Sequence, residues 1–171
     1  MYYHRLGQIP PKRHTQFRKP DGSLYHEEVV SSEGFSGIYS ILYHEHAPTR
    51  VKSVGEPVPY GPRLLEGYGL KQTHLNTSAV DTTGQDYLDA RKVLLMNGDC
   101  SLAICSPVKR TMDYFYKNAE GDEVLFVHEG SGTLFSQFGK LEFRSGDYLV
   151  IPRTVIYSIQ FNDGPLRLLI I

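Results

Sequence analysis

The sequence predicts a mainly β protein, built as a sandwich, jelly roll or barrel. Three observations carry that expectation. Many short apolar segments follow one another from residue 93 onward, and Gly, Pro or Asn separates most of them. No helical segments alternate with these strands, so no βαβ unit is present. The best-patterned segment, Val155 to Phe161, alternates strictly. Val155, Tyr157, Ile159 and Phe161 share one face and Ile156, Ser158 and Gln160 the other. One face therefore points to a core, and Tyr157 lies on it. At 171 residues, 40% hydrophobic and 22% charged, the chain suits one domain, or one domain with an arm, able to enclose that core.

The elements can be justified in order. Residues 1–22 read as an extended basic arm, because Ile9-Pro10-Pro11-Lys12-Arg13-His14 cannot sit inside a helix. The β domain is expected over 23–171. Ile38 to Tyr43 is aromatic and β-branched and reads as a strand bounded by Gly37 and Pro48. Residues 55–69 are dense in Gly and Pro and predict a long irregular loop. Gln85 to Arg91 suits one or two helical turns. Val93 to Met96, Asn97-Gly98 and Cys100 to Cys105 predict a hairpin with a type I′ turn. Asn118 to Gly121 is a further turn. Strands are then expected at Glu123–His128, Thr133–Phe138, Lys140–Phe143, Tyr148–Ile151, Val155–Phe161 and Leu166–Ile171, with Gly130-Ser131-Gly132 as a hairpin turn.

Composition excludes several classes. The 18 basic and 19 acidic residues nearly cancel, to −1. Five of the basic residues (Arg5, Lys12, Arg13, Arg18, Lys19) fall in the first twenty positions, where no acid stands, so the remaining body is acidic. An arm of that kind is solvated or packed on a partner. The acidic body, without an aromatic stacking pattern, is a poor nucleic-acid surface. The longest apolar runs fall far short of the ~20 residues that span a bilayer, and no apolar signal-peptide core follows Met1. A cytoplasmic protein is expected. Cys100 and Cys105 stand five apart on opposite faces of a strand, roughly 16 Å along it. A disulfide needs Cα atoms within about 7 Å, so two reduced, buried thiols are expected.

Two spacings carry a resemblance. Glu123 stands seven residues before Gly130, and Gly146 six before Pro152. This pair of motifs resembles the cupin superfamily, and the resemblance implies a small double-stranded β-barrel, or jelly roll. Cupin lumens often hold a metal on three histidines and a glutamate. Two of those histidines would lie four to six residues before Glu123, where Lys117, Asn118 and Ala119 stand. The third would lie five after Pro152, at Tyr157. Only Glu123 survives, and one carboxylate does not make a ligand set. The reading is a metal-free barrel in which Glu123 is a structural carboxylate, bonded inside or at the rim. Tyr157 is a candidate partner across the lumen, since a buried carboxylate needs one.

The remaining candidates are weaker. His44 and His46 share a face if the strand continues, but Ala47-Pro48 ends it and no third ligand is near, so a surface or interface pair is expected. His128 lies on the face opposite Glu123. His4, His14 and His26 fall in or beside the arm, and His74 in an ambiguous strand. No nucleophile elbow, P-loop or GxGxxG occurs. No catalytic, cofactor-binding or metal-binding residue is therefore assigned.

Longer segments carry a more specific resemblance. Tyr3 to Tyr25, with Gly7-Gln8-Ile9-Pro10-Pro11-Lys12-Arg13-His14, is similar to the amino-terminal signature of bacterial homogentisate 1,2-dioxygenases. So is Gly34 to His44, and Asn118 to Ile151 is similar to their first barrel. The resemblance implies the first of two cupin barrels. In that family, ferrous iron on two histidines and a glutamate of the carboxy-terminal barrel cleaves homogentisate with O2, in tyrosine and phenylalanine breakdown. None of those ligands maps onto this chain. The resemblance implies a homo-oligomer in which this part is a scaffold. A free-standing cupin that binds a small molecule or a partner is the alternative. A third reading is an acid–base enzyme using Glu123, Tyr157 and histidines. The apolar run Leu166 to Ile171 has no turn or polar tail after it. It predicts an exposed strand edge and a truncated chain.

Overall fold

A computed structural model describes residues 16–58, 61, 62, 65 and 71–171. The predicted arm lies outside the described residues over 1–15, as does part of the 55–69 loop; what is described of that loop is irregular. The chain divides into two compact units, Met1–Pro59 and Tyr60–Ile171.

The first unit is a β-hairpin. β1 (His26–Glu33) and β2 (Ser36–His44) pair antiparallel, with Val29 opposite Ile41 and Ser31 opposite Tyr39. Gly34 makes the reversal at φ +62°, which glycine adopts without the Cβ penalty. Phe17 packs against Tyr43 with ring centroids 4.6 Å apart and planes tilted by 55°. Lys19 Nζ donates to Glu45 O at 2.7 Å.

The second unit holds two sheets around one core. The larger runs β3 (Thr83–Gly84), β5 (Ser101–Pro107), β11 (Arg167–Ile170), β6 (Glu123–Glu129), β9 (Tyr148–Ile151), with β4 (Lys92–Met96) also on β5. The smaller runs β10 (Tyr157–Phe161), β7 (Ser131–Ser136), β8 (Gly139–Arg144). Inward residues of both sheets make the core, among them Cys105, Leu125, Val127, Leu134, Phe143, Ile159 and Leu168. On β10, Tyr157, Ile159 and Phe161 are buried, as the alternation predicts. Bridges Thr111↔Gln160 and Tyr116↔Tyr157 lay the 111–116 segment along β10. The pairing does not close into a continuous barrel. The architecture is a two-sheet jelly roll.

Several local expectations are corrected. Asn97-Gly98 joins β4 to β5 as predicted, but neither residue has positive φ, so the turn is not type I′. The Asn97 side chain instead accepts from Asp99 N and Cys100 N at 2.8 Å each, and this Asx turn reverses the chain without a left-handed residue. Gln85 to Arg91 makes one helical turn, with Ala90 N on Asp86 O and Arg91 N on Leu88 O, at the short end of the expected one or two. Gly130-Ser131-Gly132 does not make a hairpin. β6 pairs with β11 and β9, β7 with β10 and β8, so the glycines carry the chain from one sheet to the other. β11 is not an edge strand; it lies between β5 and β6. Cys105 is buried, but Cys100, beside the turn, is exposed. β1, β3 and a 3-10 turn at Thr77–Ala79 lack a clear sequence signal. Among the described residues, no helix is long and apolar enough to cross a membrane.

Candidate functional site

Glu123 opens β6 on the face that carries Leu125 and Val127 into the core, and only 4% of it is exposed. A carboxylate there needs compensation. It receives a cation from the chain before β4. Asp86 organises that chain, its Oδ1 accepting from Leu88 N at 2.9 Å and Asp89 N at 3.1 Å. Ala90 is wholly buried, and its backbone runs so close to Gly84 that a Cβ there would strike Asp89 C at 2.6 Å. The close approach turns Arg91 inward. Arg91 Nη1 lies 2.5 Å from Glu123 Oε1, and both side chains are at most 6% exposed.

Tyr157 completes the arrangement. Its hydroxyl donates to Glu123 Oε2 at 2.6 Å and accepts from Arg91 Nη2 at 3.0 Å. The cross-lumen bond between Glu123 and Tyr157 is therefore formed. Tyr87 and Tyr116 wall the guanidinium, whose carbon lies 4.3 Å and 5.2 Å from their ring centroids. Burial alone would favour a neutral Arg91. The Glu123 carboxylate beside it reverses that preference and holds it charged. Burial pushes the Tyr157 and Tyr87 phenols well above their ordinary range, and the Glu123 charge adds to it. Cys105 is pushed up to about 12, by burial first.

Both Glu123 oxygens are engaged, the Tyr157 proton is committed, and among the described residues no histidine joins them. The cupin metal does not fit here. The guanidinium of Arg91 bridges Glu123 and Tyr157, the two positions that the cupin spacing marks, and a lone carboxylate already bound to it is no ligand set. Among the described residues, the acid–base reading of Glu123 and Tyr157 gains no histidine.

The histidines are scattered. His44 Nε2 sits 2.8 Å from Glu28 Oε2 in the hairpin. His46 is exposed beyond the end of β2, so it does not share a strand face with His44. His128 is exposed on the face opposite Glu123, as expected. His26 lies opposite His44 in β1, His74 is exposed in irregular chain, and His4 and His14 lie outside the described residues. Among the described residues, no three His, Cys, Asp or Glu side chains converge on one point. Sequence reasoning missed Arg91. The signal available was the demand of a buried Glu123 for a cation.

The fold is a cupin-like jelly roll that buries an ion pair among its inward-facing residues. The profile of the homogentisate 1,2-dioxygenase N-terminal family matches residues 76–171, and the chain belongs to that family. It is 38% identical over 164 residues to a Saccharolobus solfataricus protein named "Putative dioxygenase SSO1533", which covers 96% of this chain and 42% of that protein. It is 30% identical over 59 residues to the homogentisate 1,2-dioxygenase of Bradyrhizobium diazoefficiens, covering 34% of this chain and 13% of that one. The chain thus spans less than half the length of the curated relatives it matches. Among solved structures, it is similar to a cupin superfamily protein from Desulfitobacterium hafniense, at 15% identity and a TM-score of 0.45, over 63% of this chain and 95% of that one.

Proposed function

We propose that this chain is the amino-terminal, structural barrel of a cytoplasmic homogentisate 1,2-dioxygenase-like enzyme. Ferrous iron and the O2-dependent ring cleavage belong, in this reading, to a carboxy-terminal barrel. The homogentisate-cleaving assembly is a homo-oligomer to which this part contributes packing surface. One observation carries the reading: the Arg91–Glu123 pair, capped by Tyr157, engages both carboxylate oxygens of Glu123, the one carboxylate that the cupin spacing marks. Such a pair holds a core together and leaves no open position for substrate or O2.

The test is oxygen uptake by the purified 171-residue chain supplied with Fe(II) and homogentisate. The expected result is no catalytic uptake, with no stoichiometric iron retained after desalting. Turnover would overturn the assignment and would mean that histidines scattered in this fold assemble into an iron site.

A further inference from the structure

The larger sheet has an outer face, turned away from the core, and it carries a recess of about 290 Å³. Its floor is a register row across three strands. Leu169 stands opposite both Phe126 and Ile104. The 3-10 turn at Thr77 forms one wall. At the other end an irregularity in the ladder sets two polar groups side by side. Arg167 pairs with Glu129 but Leu168 with Val127, so His128 is the extra residue of β6 at that step. An inserted residue re-aims its side chain, and His128 lines the recess beside Arg167. Arg167 Nη2 donates to Thr77 O at 2.6 Å, which fixes the guanidinium at the rim. A guanidinium has five donors in a planar fork suited to a carboxylate, and this bond consumes one. The Phe126 and His128 rings, 6.3 Å apart between centroids, both line the recess, so one side of it is aromatic.

We propose that this recess binds a small aromatic carboxylate. The carboxylate meets Arg167 beside His128, and the ring lies over Phe126 and Leu169. Among the described residues, no acidic side chain lines the recess, which favours an anion. The volume sits at the lower end of the ~300–1,000 Å³ common for ligand sites. It admits one ring with a short side chain and excludes a nucleotide. This site does not depend on the scaffold assignment, because it lies on the opposite sheet face from Glu123 and Arg91.

The test is a titration of the 171-residue chain with phenylacetate, read by calorimetry and by amide shifts in a ¹H–¹⁵N NMR spectrum. Saturable one-site binding is expected, with shifts confined to residues 77, 104, 126–128 and 167–169. Arg167→Gln should weaken it about tenfold or more, the value of a charge-assisted hydrogen bond. Leu169→Trp fills the floor and should abolish binding while the unfolding midpoint is kept, which guards against a variant that fails to fold. Acetate and 2-phenylethanol should each bind about tenfold more weakly, since each lacks one half of the recognition. The proposal is overturned if phenylacetate shows no saturation, if both variants bind it unchanged, or if acetate binds as tightly. Oxygen uptake has no bearing on any of these outcomes.

Discussion

Removing a carboxylate from water costs several kcal/mol unless a cation and donors replace the lost solvent, and at Glu123 both replacements are single side chains. Arg91 supplies the charge and Tyr157 the second donor. Truncating Arg91 to Met leaves the carboxylate buried and uncompensated. That variant should lose about 3–5 kcal/mol of stability, measured by urea unfolding. Combining it with Glu123→Leu removes the stranded charge and should recover most of the loss. If the double variant is as unstable as Arg91→Met alone, the pair does more than neutralise itself. Glu123 and Tyr157 were legible in the sequence, because cupin spacing marks their positions and alternation on β10 turns Tyr157 inward. Arg91 was not. It lies 32 residues from Glu123 and 66 from Tyr157, in a turn with no periodicity to read.

At the level of elements, strands are local and their partners are not. Val, Ile, Leu and aromatic runs between turn residues suit a pleated surface, and they mark the segments at 123, 148 and 157 as strands. Which strand each one joins depends on contacts far along the chain. The glycines between β6 and β7 show the difference. Locally Gly130-Ser131-Gly132 resembles a hairpin turn, yet it passes from one sheet to the other. Gly132 pairs with Phe161 and Phe143 at once, and a Cβ there would meet Gln160 O, Phe143 Cζ at 2.8 Å and Phe161 Cα at 3.0 Å. Gly132→Ala should therefore cost about 1–3 kcal/mol, as overpacking does, and raise hydrogen exchange of the β7 and β10 amides. An unchanged unfolding midpoint would show that the backbones part without penalty. The Asn97 turn makes the complementary point, since a side-chain acceptor competed with the left-handed backbone and won.

Across the whole molecule, the buried ionisable groups set a response to alkali. Tyr87, Tyr157 and Cys105 all have folded pKa values raised above their ordinary values of 10.0, 10.0 and 9.0. A raised folded pKa means that the native state binds more protons than the unfolded chain, so stability falls as pH rises. The contribution is complete below about pH 9 and is lost progressively above it, the Cys105 share by about 12. Tyrosinate absorbance at 295 nm should rise in two phases, with Tyr87 and Tyr157 among those released only as the chain unfolds. A single smooth phase with unchanged circular dichroism would contradict their burial. The six-stranded sheet adds a constraint of its own. Its middle strand is β11, paired with β5 and β6 from much earlier in the chain, so the sheet assembles through distant contacts and should fold slowly for its size.

Period-two alternation, turn chemistry and the two cupin spacings were enough to establish a mainly β jelly roll, the inward face of β10 and the absence of motif histidines around Glu123. These properties depend on neighbours within a few residues, and short-range stereochemistry writes them into the chain. The central place of β11, the change of sheet after β6, the guanidinium that answers Glu123 and the recess beside Arg167 came from folding. Each joins residues tens of positions apart, and the free energy that selects such a contact belongs to the packed core and not to any local segment.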